Sequence, residues 1–134
     1  MEKTLAIIKP DATANKYSGE IIKLIELNKF NILRMEKKQL SKKEAEDFYA
    51  VHKDRPFFSE LVNYMISGPI IAIALEKENA IKSWRDLMGE TDPKKAAPGT
   101  LRYMFGTSIG SNATHGSDSQ QTANNEIRFF FDLD

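Results

Sequence analysis

The stretch Ile70-Ile71-Ala72-Ile73-Ala74-Leu75 is apolar at every position and decides the fold. An unbroken apolar run of this length is typical of a central strand that is covered on both faces, because a strand with one solvent face would alternate. The turn Ser67-Gly68-Pro69 precedes it. A second run, Leu5-Ala6-Ile7-Ile8, predicts another buried strand, which ends at Pro10 because proline cannot continue an interior ladder.

Helical segments surround these strands, and most of them carry a start signal. A capping box at Ser41 and Glu44 predicts the start of one helix, and Ser119 can cap the last one. Proline is favoured in the first turn of a helix, so Pro56 predicts another start. Further elements are a helix from the cap Ser18 to Asn28, a strand at Phe30–Lys37, a helix from the cap Asn79 to Gly89, a helical turn at Leu101–Phe105, and a short strand near His115.

The order of these elements is β-α-β-α-α-β-α, followed by the short strand and the last helix. This order predicts an α+β fold of the ferredoxin-like sandwich kind, with an antiparallel four-stranded sheet covered by helices. The 134 residues are enough for one domain with a real core, so residues 1–134 are predicted to form a single domain.

Composition excludes several classes of function. The formal net charge is zero, which gives no global attraction to nucleic acid or to an anionic membrane. The chain has no cysteine and only two histidines, so disulfides, thiolate catalysis and a structural zinc site are not expected. No signal peptide and no apolar run of membrane-spanning length is seen, which predicts a cytoplasmic protein.

The segment Asn112–Ser119 contains His115 among glycine and small polar residues. Such neighbours leave a ring nitrogen accessible, and imidazole is largely neutral and nucleophilic near pH 7. The alternative is a solvated histidine in a polar loop. The other histidine, His52, lies among charged residues and is interpreted as structural or solvated.

Glu126 lies on the apolar stripe of the last helix, at helical spacing with Ala123, Ile127 and Phe130. Carboxylates are seldom buried without a partner, and His115 is the titratable residue in the turn before this helix. A carboxylate bonded to one imidazole nitrogen would leave the other free as a nucleophile. The alternative is that Glu126 reaches solvent or a lysine.

Three cations occupy positions that could converge. Lys9 follows the first strand, Arg85 lies near a helix end, and Arg102 lies in the long segment between Gly89 and Ser111. Together they suit a triphosphate. The alternatives are that Lys9 is a surface lysine and that Arg85 interacts with the dipole at the end of its helix. The glycine-rich patterns GxxxxGK[ST] and GxGxxG, whose backbone binds phosphate, are both absent from the sequence. Side chains and a metal ion would therefore have to hold a nucleotide.

Six segments, in order and with family spacing, resemble the motifs of nucleoside diphosphate kinases of the short, bacterial type. The match runs from about Lys3 to Phe131. The most specific segment is the one that contains the histidine, with an asparagine three residues before it. The segments are Ile8–Asp11, Lys53–Phe58, Ser67–Pro69, Gly89–Pro93, Pro98–Arg102 and Asn112–Ser119.

The resemblance implies a reaction. The γ-phosphoryl group of a nucleoside triphosphate, typically ATP, would pass to His115, and a second ribo- or deoxyribonucleoside diphosphate would then accept it, which maintains nucleoside triphosphate pools. This is a ping-pong path through phosphohistidine. Mg²⁺ is the implied cofactor, held mainly by the nucleotide phosphates, with Asp118 reaching it through water.

The resemblance also implies roles for individual residues. His115 would be the nucleophile through Nδ1, oriented by Glu126 with help from Ser117, while Phe57 would stack on the base and Ile109 would pack on its other face. The implied catalytic residues are His115, Lys9, Tyr49, Asn112, Ser117 and Glu126. The implied nucleotide-binding residues are Lys9, Phe57, Arg85, Thr91, Arg102, Ile109 and Asn112.

The chain departs from the family pattern at a few positions. Tyr103 and Met104 follow Arg102 where a small and an acidic residue are usual, and Trp84 is large for its place. Family members form tetramers or hexamers, so a homo-oligomer is implied. Two other functions stay open: a regulatory nucleotide-binding module, and a phosphohydrolase in which water accepts the phosphoryl group from His115.

Overall fold

The computed structural model describes residues 1–131. One sheet contains four strands, and all its neighbouring strands are antiparallel. The strands are β1 (Glu2–Ile8), β2 (Asn31–Lys38), β3 (Ile70–Lys77) and β4 (Thr114–Gly116). Their order across the sheet is β2-β3-β1-β4, which confirms the predicted ferredoxin-like sandwich.

Seven helices accompany the sheet within the described residues. They are α1 (Pro10–Ala14), α2 (Ser18–Leu27), α3 (Lys42–Phe48), α4 (Phe58–Met65), α5 (Ala80–Met88), α6 (Leu101–Phe105) and α7 (Gln120–Phe130), with a 3₁₀ turn at Ala50–His52. None of the helices in residues 1–131 is long and apolar enough to cross a membrane.

The two central strands are buried on both faces, as their unbroken apolar sequences predict. Every residue from Ile70 to Leu75 is at most 8% exposed. Ile8 and Ile73 lie in a core built with α2 and α5, whereas Ile7 and Ala74 lie in a second core with α3, α4 and α7. Each strand therefore contributes alternate residues to two separate layers, which explains why no polar residue interrupts it.

The two edge strands differ from this pattern. Strand β2 is mostly exposed and has a register shift between Ile32 and Arg34. Strand β4 is only three residues long and pairs with β1, so that His115 lies opposite Ile7. The pairing places the backbone of His115 against a buried strand while its side chain stands at the margin of the sheet.

Two helix starts were predicted correctly. The Ser41 hydroxyl accepts the Glu44 N–H at 3.1 Å, and the Ser41 N–H donates to the Glu44 carboxylate at 2.9 Å, so the capping box is complete. The Ser119 hydroxyl accepts the Thr122 N–H at 3.1 Å at the start of α7. All three bonds join residues three apart, and such local signals can be recognised from sequence.

Two predicted caps are wrong. The side chain of Asn79 makes no capping bond; instead the carboxylate of Glu2 accepts the Ile81 N–H at 2.8 Å. A partner so distant along the chain leaves no local signal. Ser18 is already helical, and the residue before α2 is Tyr17, whose side chain accepts no capping bond.

The proline positions also differ from prediction. Helix α4 begins at Phe58 rather than at Pro56, because the Phe58 N–H closes a turn onto the Arg55 carbonyl at 3.1 Å. Pro10, in contrast, does more than end a strand. It opens the short helix α1, where its fixed φ suits the first turn.

Helix α5 lies directly on β4. Trp84 is fully buried, and its indole N–H donates to the carbonyl oxygen of His115 at 3.0 Å. The ring sits so close to Gly116 that an added Cβ atom would be 2.5 Å from the Trp84 ring and 2.6 Å from Met88. Glycine is therefore required at position 116 by the close approach of the indole.

This close approach leads to a prediction about stability. We expect Gly116→Ala to lower the free energy of unfolding by about 1–3 kcal/mol, because the added methyl group overpacks the Trp84 contact. Denaturant unfolding measures the difference. Gly110→Ala is the control, since nothing lies within 4 Å of its added Cβ. Equal midpoints for the two variants would contradict the prediction.

Candidate active site

The side chain of His115 is paired with Glu126. His115 Nε2 lies 3.0 Å from Glu126 Oε1, and the two side chains are only 18% and 15% exposed. The Ser117 hydroxyl donates to the same carboxylate oxygen at 2.7 Å, and it accepts the Leu5 N–H at 3.3 Å. The inward position of Glu126 on the last helix therefore brings it to the histidine, as its place on the stripe predicted.

This pairing controls which nitrogen carries the proton. An ionised carboxylate only accepts, so the hydrogen-bond network assigns the proton to Nε2 of His115. Within residues 1–131, Nδ1 makes no hydrogen bond. The neutral ring therefore holds a free lone pair on Nδ1, which is the form that attacks an electrophile.

A cavity of about 390 Å³ opens beside the histidine, and Phe48 and Tyr49 form part of its wall. The Phe48 ring meets the imidazole edge-on, with centroids 5.6 Å apart. Burial, reinforced by the charge of Glu126, raises the pKa of the Tyr49 hydroxyl above its usual range. Tyr49 therefore stays protonated and can donate to an anion.

A neighbouring cavity of about 490 Å³ is lined by Arg85, Thr91 and Arg102. Arg85 also lines the cavity beside His115, so it connects the two. Burial and then the charge of Arg85 lower the pKa of Arg102 to about 10, and burial and then the charge of Arg102 lower the pKa of Lys9 to about 8. Arg85 and Arg102 line the same cavity and the charge of Arg102 acts on Lys9, so the three predicted cations lie near one another.

Arg102 is held by backbone carbonyl groups. Its Nη1 donates to Gly89 and its Nη2 to Thr114, both at 3.0 Å, and the residue is 9% exposed. Among the described residues, its buried Nε–H has no hydrogen-bond partner. An unsatisfied buried donor needs an explanation, and an anion in the adjacent cavity would supply the missing acceptor.

Lys9, Asn112 and Thr91 form one hydrogen-bonded chain. Lys9 Nζ donates to Asn112 Oδ1 at 2.8 Å, and Asn112 Nδ2 donates to the Thr91 carbonyl at 3.0 Å. Asn112 is 2% exposed, so its amide is fixed. The structure thus joins three predicted site residues that are far apart in sequence.

Phe57 and Ile109 stand apart from this network. They are 47% and 61% exposed and do not line either cavity. The nearest aromatic neighbour described for Phe57 is His52, with ring centroids 5.6 Å apart. His52 is half-buried and lines the cavity beside His115. Its interpretation as structural or solvated stays a prediction.

Acidic residues near the histidine are few. Within residues 1–131, no group of three or more histidine, aspartate or glutamate side chains is arranged to hold a metal ion. Asp118 is exposed and lines the cavity beside His115.

Three contributors at this site were not identified from sequence. Phe48 was recognised only as part of a helical stripe, and the Trp84 bond to the His115 carbonyl leaves no local pattern. Asp11 accepts the Ala113 N–H at 3.1 Å and also bonds to the Tyr64 hydroxyl. An aspartate directly after a strand-ending proline was the available signal for Asp11.

Comparisons with known proteins agree with this geometry. The family model described as nucleoside diphosphate kinase matches residues 2–134. A nucleoside diphosphate kinase of Wolinella succinogenes is 57% identical over 131 residues, which is 98% of this chain and 96% of that protein. One from Chlamydia abortus is 56% identical over 131 residues, which is 98% of this chain and 93% of that protein.

Solved structures show the same likeness. The Aquifex aeolicus nucleoside diphosphate kinase superposes with a TM-score of 0.95 at 44% identity, covering 97% of this chain and 94% of that one. The Halobacterium salinarum nucleoside diphosphate kinase, solved in complex with CDP, superposes with a TM-score of 0.94 at 36% identity. The match covers 98% of this chain and 88% of that one. With a paired histidine beside converging cations and this likeness along nearly its whole length, the chain belongs to the nucleoside diphosphate kinase family.

Proposed function

We propose that this protein transfers the γ-phosphoryl group of a nucleoside triphosphate, typically ATP, to a ribo- or deoxyribonucleoside diphosphate through a phosphohistidine on His115. The observation that carries the proposal is the 3.0 Å pairing of His115 Nε2 with Glu126. It leaves Nδ1 as the nucleophile. The reaction would maintain the pools of nucleoside and deoxynucleoside triphosphates.

The transfer occurs in two half-reactions. The lone pair of His115 Nδ1 forms a bond to the γ-phosphorus while the bond to the bridging oxygen breaks, and the nucleoside diphosphate leaves with that electron pair. A terminal oxygen of a second nucleoside diphosphate then attacks the same phosphorus and releases Nδ1. Glu126 keeps the Nε2 proton in place while positive charge develops on the ring.

The cations stabilise the charge that spreads over the phosphoryl oxygens. Phosphoryl transfer depends mainly on positioning and electrostatic stabilisation, and such groups act without reorganisation when they are already fixed. Arg85 and Arg102 line one cavity, and the bond to Asn112 holds the Lys9 ammonium. Thr91 and Tyr49 are neutral hydroxyl groups at the walls of the two cavities.

The residues present fit Mg²⁺ held mainly by the nucleotide. Mg²⁺ usually keeps several waters and binds one or two carboxylates plus substrate phosphates. Asp118 is the exposed carboxylate in the cavity of His115, and it would reach the ion through water. When bound, the ion neutralises charge on the phosphate oxygens.

The exposed aromatic ring of Phe57 supports recognition of the base by stacking, with Ile109 on the other face. Stacking tolerates every base because each has a π face. Ring contact rather than edge hydrogen bonds therefore suits an enzyme that accepts both purine and pyrimidine nucleotides.

We also propose that the chain, as a single domain over residues 1–134, forms a homo-oligomer. Strand β2 is an uncovered edge, and the apolar side chains of Met35 and Leu27 are 49% and 59% exposed. Exposed edges and apolar residues are common at subunit contacts. Tetramer and hexamer are the alternatives, which sedimentation equilibrium distinguishes. A cytoplasmic location stays the prediction made from the sequence.

One labelling experiment tests the reaction. We expect incubation with γ-labelled ATP and Mg²⁺ to give a base-stable, acid-labile protein label, because phosphohistidine has that stability pattern. A chase with GDP should move the label to GTP. His115→Ala should abolish labelling while the nucleotide still binds.

The same experiment separates the alternatives. Label released only as inorganic phosphate would indicate a phosphohydrolase. Nucleotide binding without any label on the unaltered chain would indicate a regulatory module. Either result would overturn the proposed function.

Replacing Glu126 tests how the histidine is oriented. We expect Glu126→Gln to slow phosphorylation of the protein at least about a hundredfold, because an amide can present its N–H₂ to the ring and select the wrong tautomer, as it does in Ser-His-Asp triads. Nucleotide affinity should stay close to that of the unaltered chain. Rapid-quench labelling measures the rate, and Glu78→Gln, at an exposed turn, is the control.

The lowered pKa of Lys9 predicts a pH dependence. Burial and the charge of Arg102 lower the pKa of Lys9 to about 8, so its positive charge is present below that pH and is lost as pH rises through it. We expect kcat/KM to fall above about pH 8 with a slope of roughly tenfold per unit. Bound phosphate favours the charged amine, so kcat should fall only at higher pH.

Lys9→Arg should remove this alkaline limb, because a guanidinium keeps its charge over the whole range. The exposed Lys43→Arg is the control and should retain the limb. An alkaline limb that persists unchanged in Lys9→Arg would assign it to a different group.

A further inference from the structure

The turn before His115 has an uncommon backbone conformation. Ala113 has φ of +74°, in the left-handed region that residues other than glycine seldom adopt. The Thr114 N–H donates to the Asn112 carbonyl at 2.9 Å across it. A hydrogen bond between residues two apart, with positive φ at the central residue, defines the rare and strained form of the γ-turn.

Strained turns of this kind persist only where surrounding bonds impose them. The Ala113 carbonyl accepts the Lys9 N–H at 2.8 Å, and its N–H donates to Asp11 Oδ2 at 3.1 Å. The Ala113 side chain is fully buried in the core. Both polar groups of this residue are therefore held by the segment Lys9–Asp11.

The carboxylate that holds the turn is itself held. The other oxygen of Asp11 accepts a hydrogen bond from the hydroxyl of Tyr64, which lies on α4. Burial, then the hydrogen bond to Asp11 and its charge, raise the pKa of that hydroxyl, so it remains a donor at neutral pH. Asp11 thus links α1, α4 and the γ-turn.

The turn determines the direction of two predicted catalytic residues. Asn112 precedes Ala113 and accepts the Lys9 ammonium, and His115 follows two residues later on β4. Relaxation of Ala113 toward negative φ would rotate the chain on one side of the turn relative to the other. Misplacement of a reacting group by about 1 Å can cost a hundredfold in rate.

We propose that Asp11 is a positioning residue, whose carboxylate holds the strained γ-turn at Ala113 and so fixes Asn112 and Lys9 relative to His115. The proposal rests on the phosphohistidine reaction proposed above. Tyr64 serves it by keeping Asp11 in place.

Asp11 also has simpler explanations that must be separated from this one. It is an acidic residue in the first turn of a short helix, and its negative charge raises the pKa of Lys9. Both explanations depend on the charge. Holding the turn depends on an oxygen that accepts the Ala113 N–H, which an uncharged amide also provides.

Two variants of Asp11 distinguish charge from position. We expect Asp11→Ala to slow single-turnover labelling from γ-labelled ATP by between about tenfold and a hundredfold, with nucleotide affinity nearly unchanged. The labelling rate of Asp11→Asn should stay within about threefold of that of the unaltered chain, because its amide oxygen can still accept the Ala113 N–H. Asp47→Ala, at an exposed carboxylate on α3, is the control.

A double-mutant cycle with Ala113→Gly tests the strain directly. Glycine adopts positive φ readily, so the turn no longer needs to be imposed. Asp11→Ala should therefore slow labelling by less than about threefold in the Ala113→Gly background. Loss of the buried methyl group lowers overall stability, and for this reason the labelling rate is compared rather than the melting temperature.

Three results would overturn the proposal: a normal labelling rate in folded Asp11→Ala, equal losses in Asp11→Ala and Asp11→Asn, or equal losses in both backgrounds at position 113. If Asp11→Ala does not fold, Tyr64→Phe replaces it, read by hydrogen exchange of the Ala113 amide. Faster exchange than in the unaltered chain supports the proposal, and unchanged exchange contradicts it. Absence of label on the unaltered chain would instead be a failure of the proposed function.

Discussion

The antiparallel pairing of β4 with β1 is the constraint on which the rest of the site depends. A three-residue strand has too few contacts to fix its own place, so bonds from outside hold it. The Lys9 N–H reaches Ala113 at one end and the Ser117 N–H reaches Leu5 at the other. Arg102 and Trp84 donate to the carbonyl groups in between, at Thr114 and His115. The backbone of His115 is therefore fixed by three separate parts of the chain, which are β1 with Lys9, α5 and α6.

The cations of the site are concentrated even though the whole chain is neutral. Lys9 and Arg102 both have lowered pKa values, because they are buried and lie near another positive charge. This crowding is unfavourable in the free protein, and a polyanion relieves it on binding. The buried Nε–H of Arg102 also favours a bound anion, because it has no hydrogen-bond acceptor among residues 1–131. The site is thus organised for an anion before the anion arrives, which is how fixed charges stabilise a transition state most effectively.

Much of this could be predicted from sequence where the cause is local. The unbroken run at Ile70–Leu75, the capping box at Ser41 and the inward position of Glu126 all follow from spacing within one element, and the structure contains each of them. The wrong cap at Asn79 has a different origin. Its replacement, Glu2, is 79 residues from Ile81 along the chain, and no short window contains both residues. The positive φ at Ala113 was hidden for the same reason, because alanine shows no preference for it and the bonds that impose it come from Asp11 and Lys9.

The close contact between Trp84 and β4 has an optical consequence. The chain contains a single tryptophan, so its indole emission comes from one ring. That ring is fully shielded from water, and its N–H is bonded to the carbonyl of the residue whose side chain would carry the phosphoryl group. Emission from an indole depends on the electric field and hydrogen bonding around it. The fold therefore places an intrinsic fluorophore in hydrogen-bond contact with the main chain of His115, and its emission reports on the surroundings of that residue without an added label.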